Sequence, residues 1–378
     1  MTEPLRIVHC FRSPVGGIFR HVRDLSRAQV AAGHAVGIVC DSSTGGDYEA
    51  RLFDEMRDIF ALGVARTPMQ RHVGPGDIAS AWRTCRILKR MRPDVLHGHG
   101  AKGGVYARLF GTVLRLGGTP VARLYSPHGG SLHYDRGTAT GRLFFTLERV
   151  MDRFTDHLLF VSRYEEATFR AKVGAPRAPH TQIYNGVAAD EFEPVPAAPD
   201  AADFLYIGMM RDLKGPDLFI EALAEAERRT GRTITAHMVG DGEDRPRYEA
   251  LAAARGLAAR IAFHAAMPAR QAFRLARIVV VPSRAEAMPY IVLEALAAGK
   301  PMIASAVGGV PEIFGDGSRA LVAPDSAAIA ERMAEALADE AGFAAAMPPR
   351  ATLEARFSAA AMARQVIAVY RAARDRRA

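Results

Sequence analysis

Residues 278–281, IVVV, constrain this chain more than any other stretch. Four successive apolar β-branched residues leave no polar face to turn toward water, so the run reads as a strand buried on both sides, as in a parallel sheet. Pro282 and Ser283 end it, and a loop carrying Glu286 follows. Pro289 suits the first turn of a helix, where its missing N–H would be unpaired anyway, and Gly299 suits the position just past the helix end. Glu294 therefore sits inside that helix and Glu286 just before it. Residues 301–311, PMIASAVGGVP, supply a further strand with a Gly-Gly turn.

This arrangement offers a specific chemistry. Carboxylates accept paired hydrogen bonds from vicinal hydroxyls, while the amides of Tyr290 and Ile291 point out of the helix N-terminus toward any nearby phosphate. Sugar hydroxyls beside a phosphate describe a nucleotide sugar. A pair of glutamates taken alone is ordinary solvated surface; the buried strand before this pair and the helix start between its members give it meaning.

The stretch SRAEAMPYIVLEALAAGKPMIASAVGGVPEI resembles the donor-site signature of the retaining GT-B glycosyltransferases of family four. The resemblance implies that Glu286 contacts hydroxyls of the transferred sugar and that Glu294 holds the nucleotide ribose. Ala287 and Met288 stand where the family usually has Gly and Phe, which implies an altered sugar pocket beside Glu286. Ser318-Arg319-Ala320 replaces a common Gly-containing turn.

A chain of 378 residues, 49% hydrophobic and 24% charged, has the size of two ordinary domains and the composition of a soluble globular protein. No apolar run approaches the roughly 20 residues that span a bilayer, and the N-terminal MTEPLRIVHCF lacks the regions of a signal peptide, so the cytoplasm is expected. Cys10, Cys40 and Cys85 are too scattered for a metal cluster or disulfide framework and read as reduced core thiols. The net charge of +8 is uneven: residues 1–185 hold 26 Lys and Arg against 16 Asp and Glu, and the remainder 23 against 25. A basic first half points to an anionic partner or surface, or to a dispersed solvated face.

From the start, residues 5–10 read as a strand, residues 14–17 as a Gly-rich loop, residues 18–32 as a helix and residues 35–40 as a second strand. This opening β-loop-α-β segment carries no G-x-G-x-x-G, so the dinucleotide fingerprint fails, a nicotinamide cofactor is disfavoured and no cofactor is expected. In the resembling family, a Gly-Gly pair such as Gly16-Gly17 lies under the donor diphosphate. Residues 41–76, with the turn GPGD at 74–77, are polar and irregular and suggest no site. Residues 78–91 form an Arg- and Lys-rich helix, and the strand 95–97 opens onto His97, His99 and Lys102. Ligands bind where strands of an open α/β sheet stop, so these three read as acceptor contacts or as polar surface; no carboxylate or Cys stands near enough to complete a metal set. The strand 121–126 ends in Pro127-His128-Gly129-Gly130, where the family places a histidine close to the transferred sugar; His128 is the leading site candidate of the first half, against the alternative of a His satisfied by a backbone carbonyl. Residues 143–154 read as a helix, 156–162 as a strand, 163–172 as a helix, 183–187 as the resembling family's last strand before its linker, and 194–199, PVPAAP, as an extended connector.

The second half repeats the logic: strand 204–207, loop 208–215 (GMMRDLKG), helix 216–229. Arg211 and Lys214 in that loop can neutralise a departing diphosphate, a task a divalent metal performs elsewhere. No D-x-D occurs in the chain, and the family assigns diphosphate binding to such an Arg and Lys. Strand 235–239 with Gly240-Asp241-Gly242, and the segment 261–267 used by the family near the base, follow. Helices are expected at 327–339 and 358–377, the last crossing back to the first domain as in GT-B enzymes.

The expectation is thus an α/β protein of two Rossmann-like doubly wound domains facing a central cleft. Residues 1–187 would bind the acceptor, 188–357 the donor, and 358–378 would pack back on the first domain. The implied activity is a metal-independent retaining glycosyltransferase: Arg211 and Lys214 stabilise the leaving charge, Glu286 orients the sugar, Glu294 the ribose, and His128 supports the reacting centre. No second carboxylate matches a nucleophile, so a same-face path fits best. Partners are a nucleotide sugar, a glycan or lipid-linked acceptor and an anionic membrane surface, with no nucleic acid. The membrane would be met by Arg83, Arg86, Lys89, Arg90, Arg92, Arg108 and Arg115. Open alternatives are an epimerase or glycosyl phosphorylase on the same fold, and a non-catalytic polyanion-binding module.

Overall fold

The computed structural model describes residues 3–13, 16–44, 53–69, 76–315 and 317–376. Residues 14 and 15 of the expected Gly-rich loop, residues 74 and 75 of the GPGD turn and Arg377 lie outside that set. The chain divides into two compact units, Met1–Gly186 with Ala359–Ala378, and Val187–Ser358.

The first unit is built on seven strands: β1 (Arg6–Phe11), β2 (Ala35–Asp41), β3 (Val64–Thr67), β4 (Val95–His99), β5 (Ala122–Ser126), β6 (His157–Phe160) and β7 (His180–Gln182). They pair in parallel in the order β3-β2-β1-β4-β5-β6-β7. Helices α1 (Gly16–Ala31), α2 (Gly76–Met91), α3 (Gly100–Leu116), α4 (Ala139–Met151) and α5 (Arg163–Lys172) lie between strands in the sequence. The period-two side-chain alternation sends Ile7 and Val95 into one core, and Val8 and Leu96 into another across the sheet. Strand β3 falls inside the segment read as irregular. It is a four-residue edge strand of mixed burial, and its register with β2, Ile38 against Val64, makes it a strand.

The second unit holds β8 (Ala202–Ile207), β9 (Ala236–Val239), β10 (Ile261–His264), β11 (Ala276–Val281), β12 (Met302–Ser305) and β13 (Leu321–Val322), all parallel, in the order β10-β9-β8-β11-β12-β13. Its helices are α6 (Pro216–Thr230), α7 (Arg245–Ala254), α8 (Ala269–Ala272), α9 (Tyr290–Ala297), α10 (Val310–Phe314), α11 (Ser326–Ala338), α12 (Glu340–Ala345) and α13 (Arg350–Phe357). The IVVV run is the interior of β11, flanked by β8 and β12, with Ile278, Val279, Val280 and Val281 at most 5% exposed. Helix α14 (Ala359–Asp375) belongs to the first unit, where Met362, Val366 and Tyr370 join the core of Leu5, Leu25 and Leu124.

Each sheet therefore has one place where strand order reverses, between β1 and β4 and between β8 and β11. Those switch points are where an open α/β sheet leaves a crevice at its strand ends.

Two expectations change here. The PVPAAP stretch is packed on the second unit rather than serving as a free connector: Val195 N–H donates to Ala298 O at 2.9 Å and Ala198 N–H to Arg274 O at 2.9 Å. Arg108 and Arg115 are not surface cations. Arg108 is 1% exposed, donates twice to Glu148 Oε2 at 3.0 Å and lies over the Tyr125 ring, because α3 and α4 close on it. Arg115 is tied to Asp156 and to Val121 O.

Candidate functional site

In the second unit the loops after β8 and β11 are pressed together. Gly215 has φ +68, and a Cβ there would lie 2.2 Å from Pro282 O, so only glycine lets the loops come this close. Arg284 N–H then donates to Leu213 O at 2.9 Å, and Lys214 Nζ lies 2.5 Å from Glu286 Oε1. Ser283 Oγ donates to the same oxygen at 2.7 Å. The loop after β12 presses on this residue too: a Cβ on Gly308, φ +61, would meet Glu286 O at 1.6 Å. Three loops thus seat a carboxylate that is only 7% exposed.

Helix α9 begins at Tyr290 with Pro289 as its cap residue rather than inside its first turn. Proline offers no side chain to cap the helix, so the amides of Tyr290 and Ile291 open the helix without one. Glu294 is half-buried one turn further on. Gly299, φ +72, ends the helix, and Lys300 N–H returns to Ala295 O at 2.9 Å. Arg211 is exposed in the loop after β8, and among the described residues no carboxylate pairs with it. Arg284 instead is engaged by Asp217. The second unit therefore brings Lys214 and Glu286 into contact, beside the start of α9.

In the first unit, His128 follows β5 and is partly exposed, with φ +51, a left-handed backbone rarely adopted by a residue with a side chain. Gly129 N–H, next in the chain, donates to Glu165 Oε1 at 2.5 Å and Val161 N–H donates to the other carboxylate oxygen at 2.9 Å. Burial raises the Glu165 carboxyl to about 7, against the opposing pull of those two amides. His97 and His99 lie within β4 and are 0% and 1% exposed. His97 meets Tyr370 OH at 2.6 Å and Ser126 Oγ at 2.9 Å; His99 meets His9 at 2.9 Å and His128 at 3.0 Å. They form an interior histidine cluster and do not open onto solvent. Lys102, on the first turn of α3, is partly exposed, and Gly16 and Gly17 are exposed at the start of α1.

The cluster, which also includes His21, was not read from the sequence; three histidines on neighbouring strands were the available signal. Burial, the first cause in every case, lowers His9 and His21 to about 4 and His97, His99 and His128 well below 6.5, so all five are neutral at pH 7. Ring nitrogens of His9, His97 and His99, and of His21, His99 and His128, lie within 4.8 Å of one another. Both nitrogens of His9, His97 and His99 already have hydrogen-bond partners in the protein.

Residues 98–103, GHGAKG, carry the G-x-G-x-x-G spacing at the turn from β4 into α3. The spacing is absent after β1 and present after β4. Its glycines serve packing: a Cβ on Gly98 would lie 2.4 Å from Gly103 O, and one on Gly103 would lie 2.1 Å from Cys10 O.

Comparison with known proteins bears on the family and the fold. The family described as "Glycosyl transferases group 1" matches residues 188–356, and the "Glycosyl transferase 4-like domain" matches residues 16–186. The chain is similar to the alpha-D-kanosaminyltransferase of Streptomyces kanamyceticus, 33% identical over 44% of this chain and 45% of that one. It is also similar to EpsD of Bacillus subtilis, named as a glycosyltransferase, 27% identical over 72% of this chain and 74% of that one. The matched stretch thus spans less than half of the first relative and about three quarters of the second. Among solved structures, Anabaena HepE in complex with UDP-glucose superposes with a TM-score of 0.79 at 18% identity, over 97% of this chain and 99% of that one. The protein belongs to the family-four glycosyltransferases and has the GT-B fold.

Proposed function

We propose that this chain moves a sugar from a nucleoside diphosphate sugar to a hydroxyl of a glycan or lipid-linked acceptor, with retention of configuration and without a metal, in building a surface polysaccharide. The observation that carries the reading is the Lys214–Glu286 contact of 2.5 Å at the switch point of the second sheet. A cation suited to phosphate and a carboxylate suited to sugar hydroxyls meet there in direct contact.

With no donor bound the two neutralise each other. On donor binding, diphosphate oxygens take the Lys214 ammonium and sugar hydroxyls donate to Glu286, while the first amides of α9 add their dipole. Arg211, without a carboxylate partner among the described residues, joins Lys214 in balancing charge as the bond from the anomeric carbon to the phosphate oxygen breaks. The acceptor oxygen forms the new bond on the same face, and its proton passes to the departing phosphate. Glu294 holds the ribose, and His128 supports the transferred sugar.

A thermal-shift panel of nucleotide sugars finds the donor, since a ligand at 100 times its dissociation constant adds about 2.7 kcal/mol. With that donor, Lys214→Ala lowers kcat/KM by about ten- to a hundredfold, the loss of one charged hydrogen bond. EDTA leaves the rate unchanged, and the product keeps the donor's anomeric configuration. Wild-type kinetics for Lys214→Ala, or activity lost to EDTA and restored by Mn²⁺, would refute the charge assignment. Turnover independent of acceptor would favour an epimerase.

A further inference from the structure

A train of hydrogen bonds runs through the interior of the first unit and ends on His128. Gln29 Oε1 lies 2.9 Å from His9 Nε2, His9 Nδ1 lies 2.9 Å from His99 Nε2, and His99 Nδ1 lies 3.0 Å from His128 Nε2. Gln29 and His9 are wholly buried and His99 nearly so, whereas His128 reaches the surface in part.

A neutral imidazole has one N–H and one bare lone pair. Two such rings joined nitrogen to nitrogen must set a donor against an acceptor, so the state of one ring dictates the next. Gln29 Oε1 can only accept. His9 therefore carries its proton on Nε2 and offers the lone pair of Nδ1. His99 must donate from its own Nε2, which leaves its Nδ1 to accept from His128 Nε2–H. The proton of His128 is thereby kept off Nδ1, and that nitrogen has no partner among the described residues.

Two further features fit a site held for a purpose. His128 and Arg92 are the only described residues other than glycine with positive φ, and strained backbone of this kind gathers at ligand-contacting positions. The Gln29 side chain is also a hydrogen-bond partner of the Tyr370 hydroxyl, which turns its Oε1 toward His9.

We propose that Gln29, His9 and His99 are positioning residues that lock His128 in the Nε2–H tautomer, so that it presents a hydrogen-bond acceptor at Nδ1 to a hydroxyl of the transferred sugar. The assignment rests on the proposed role of His128, and its test has a readout that does not depend on turnover.

Long-range ¹H–¹⁵N correlation spectra of protein labelled with ¹⁵N-histidine, with His9→Gln and His128→Gln used for assignment, report the tautomer of each ring directly. His9, His99 and His128 are expected as neutral Nε2–H rings at pH 7. Gln29→Leu should give His128 a mixture of tautomers and lower kcat about ten- to a hundredfold, with the donor KM unchanged. Gln29→Glu keeps the accepting oxygen toward His9, so it should recover most of kcat and the single tautomer. A merely structural role predicts the reverse order, because a buried carboxylate is harder to house than leucine. An Nδ1–H tautomer at His128 in the wild-type protein, a spectrum unchanged by Gln29→Leu, or zinc bound one to one in protein purified without added metal would each overturn the proposal. Full turnover by His128→Ala with the expected wild-type tautomers would instead remove the role of His128 and leave the train intact.

Discussion

Burial of the histidines has a thermodynamic consequence that can be measured without any substrate. His9 and His21 titrate near 6.5 in an unfolded chain and near 4 in the folded one, with desolvation as the main cause. A depressed histidine stabilises the fold above pH 6.5, and that contribution is lost as the pH falls toward 4, because the unfolded chain takes up the proton first. Each shift corresponds to about 3 kcal/mol. Glu165 acts with the opposite sign. Its carboxyl is raised from 4.5 to about 7, so its contribution is complete below pH 4.5 and is lost as the pH rises through 7. Five histidines outweigh one glutamate, so the melting temperature should drop between pH 6.5 and pH 4, and His9→Gln should flatten the slope. Calorimetry across that range decides it: a profile that is flat or rises toward acid would mean the cluster is not neutral in the fold.

Among elements, α3 shows how packing overrides local preference. Its sequence, GAKGGVYARLFGTVLRL, holds four glycines in 17 residues, each unfavourable in a helix by about 1 kcal/mol relative to alanine, and no helix was read there. Those glycines let the helix lie directly on the sheet. Gly103→Ala would drive a methyl into Cys10 O, 2.1 Å away in backbone that cannot move aside cheaply. The expected loss is about 1–3 kcal/mol in denaturant unfolding, or more if α3 lifts off β1. Gly137→Ala, next to a side chain at 3.4 Å on an exposed turn, should stay within about 0.5 kcal/mol. Equal losses at both positions would remove the packing argument. Helix α5, by contrast, was legible to the residue, because Ser162 caps it by accepting from Glu165 N–H at 3.0 Å and that signal is local.

For the whole chain, the division into units sharpens the charge asymmetry. With α14 included, the first unit holds 31 Lys and Arg against 17 Asp and Glu, a net +14, and the second holds 18 against 24, a net −6. Helix α2 exposes Arg83, Arg86, Lys89 and Arg90 around Trp82, which is 63% exposed with the Arg86 guanidinium 4.5 Å from its ring. Helix α3 exposes Leu109, Val113 and Leu116, and α4 exposes Leu143, Leu147 and Val150, both at helical spacing. No described helix is long and apolar enough to cross a membrane. Basic and apolar groups on one unit suit a surface that is anionic and greasy at once, at about 1 kcal/mol per well-placed cation. The expected result is sedimentation with anionic liposomes at low salt that weakens at high salt and on charge reversal of Arg86 and Lys89. Equal binding to neutral vesicles, or none to anionic ones, would remove the anionic membrane from the expected partners.

The sequence by itself determined the alternation of strands and helices and the doubly wound class, and it is the source of the proposed Glu286, Glu294, Arg211 and Lys214 set. Each of these is written in short-range pattern: an apolar β-branched run, a proline or glycine at a helix end, a motif of contiguous residues. Only the tertiary structure decided that Lys214 touches Glu286 across 72 positions of chain, that Arg108 and Arg115 are spent on internal carboxylates, and that His9, His99 and His128 join in one train. Contacts of that kind depend on which strand ends a parallel sheet sets side by side. In this chain the order of strands, reversing at β1 and β4, is what carries histidines from three distant segments to the same edge.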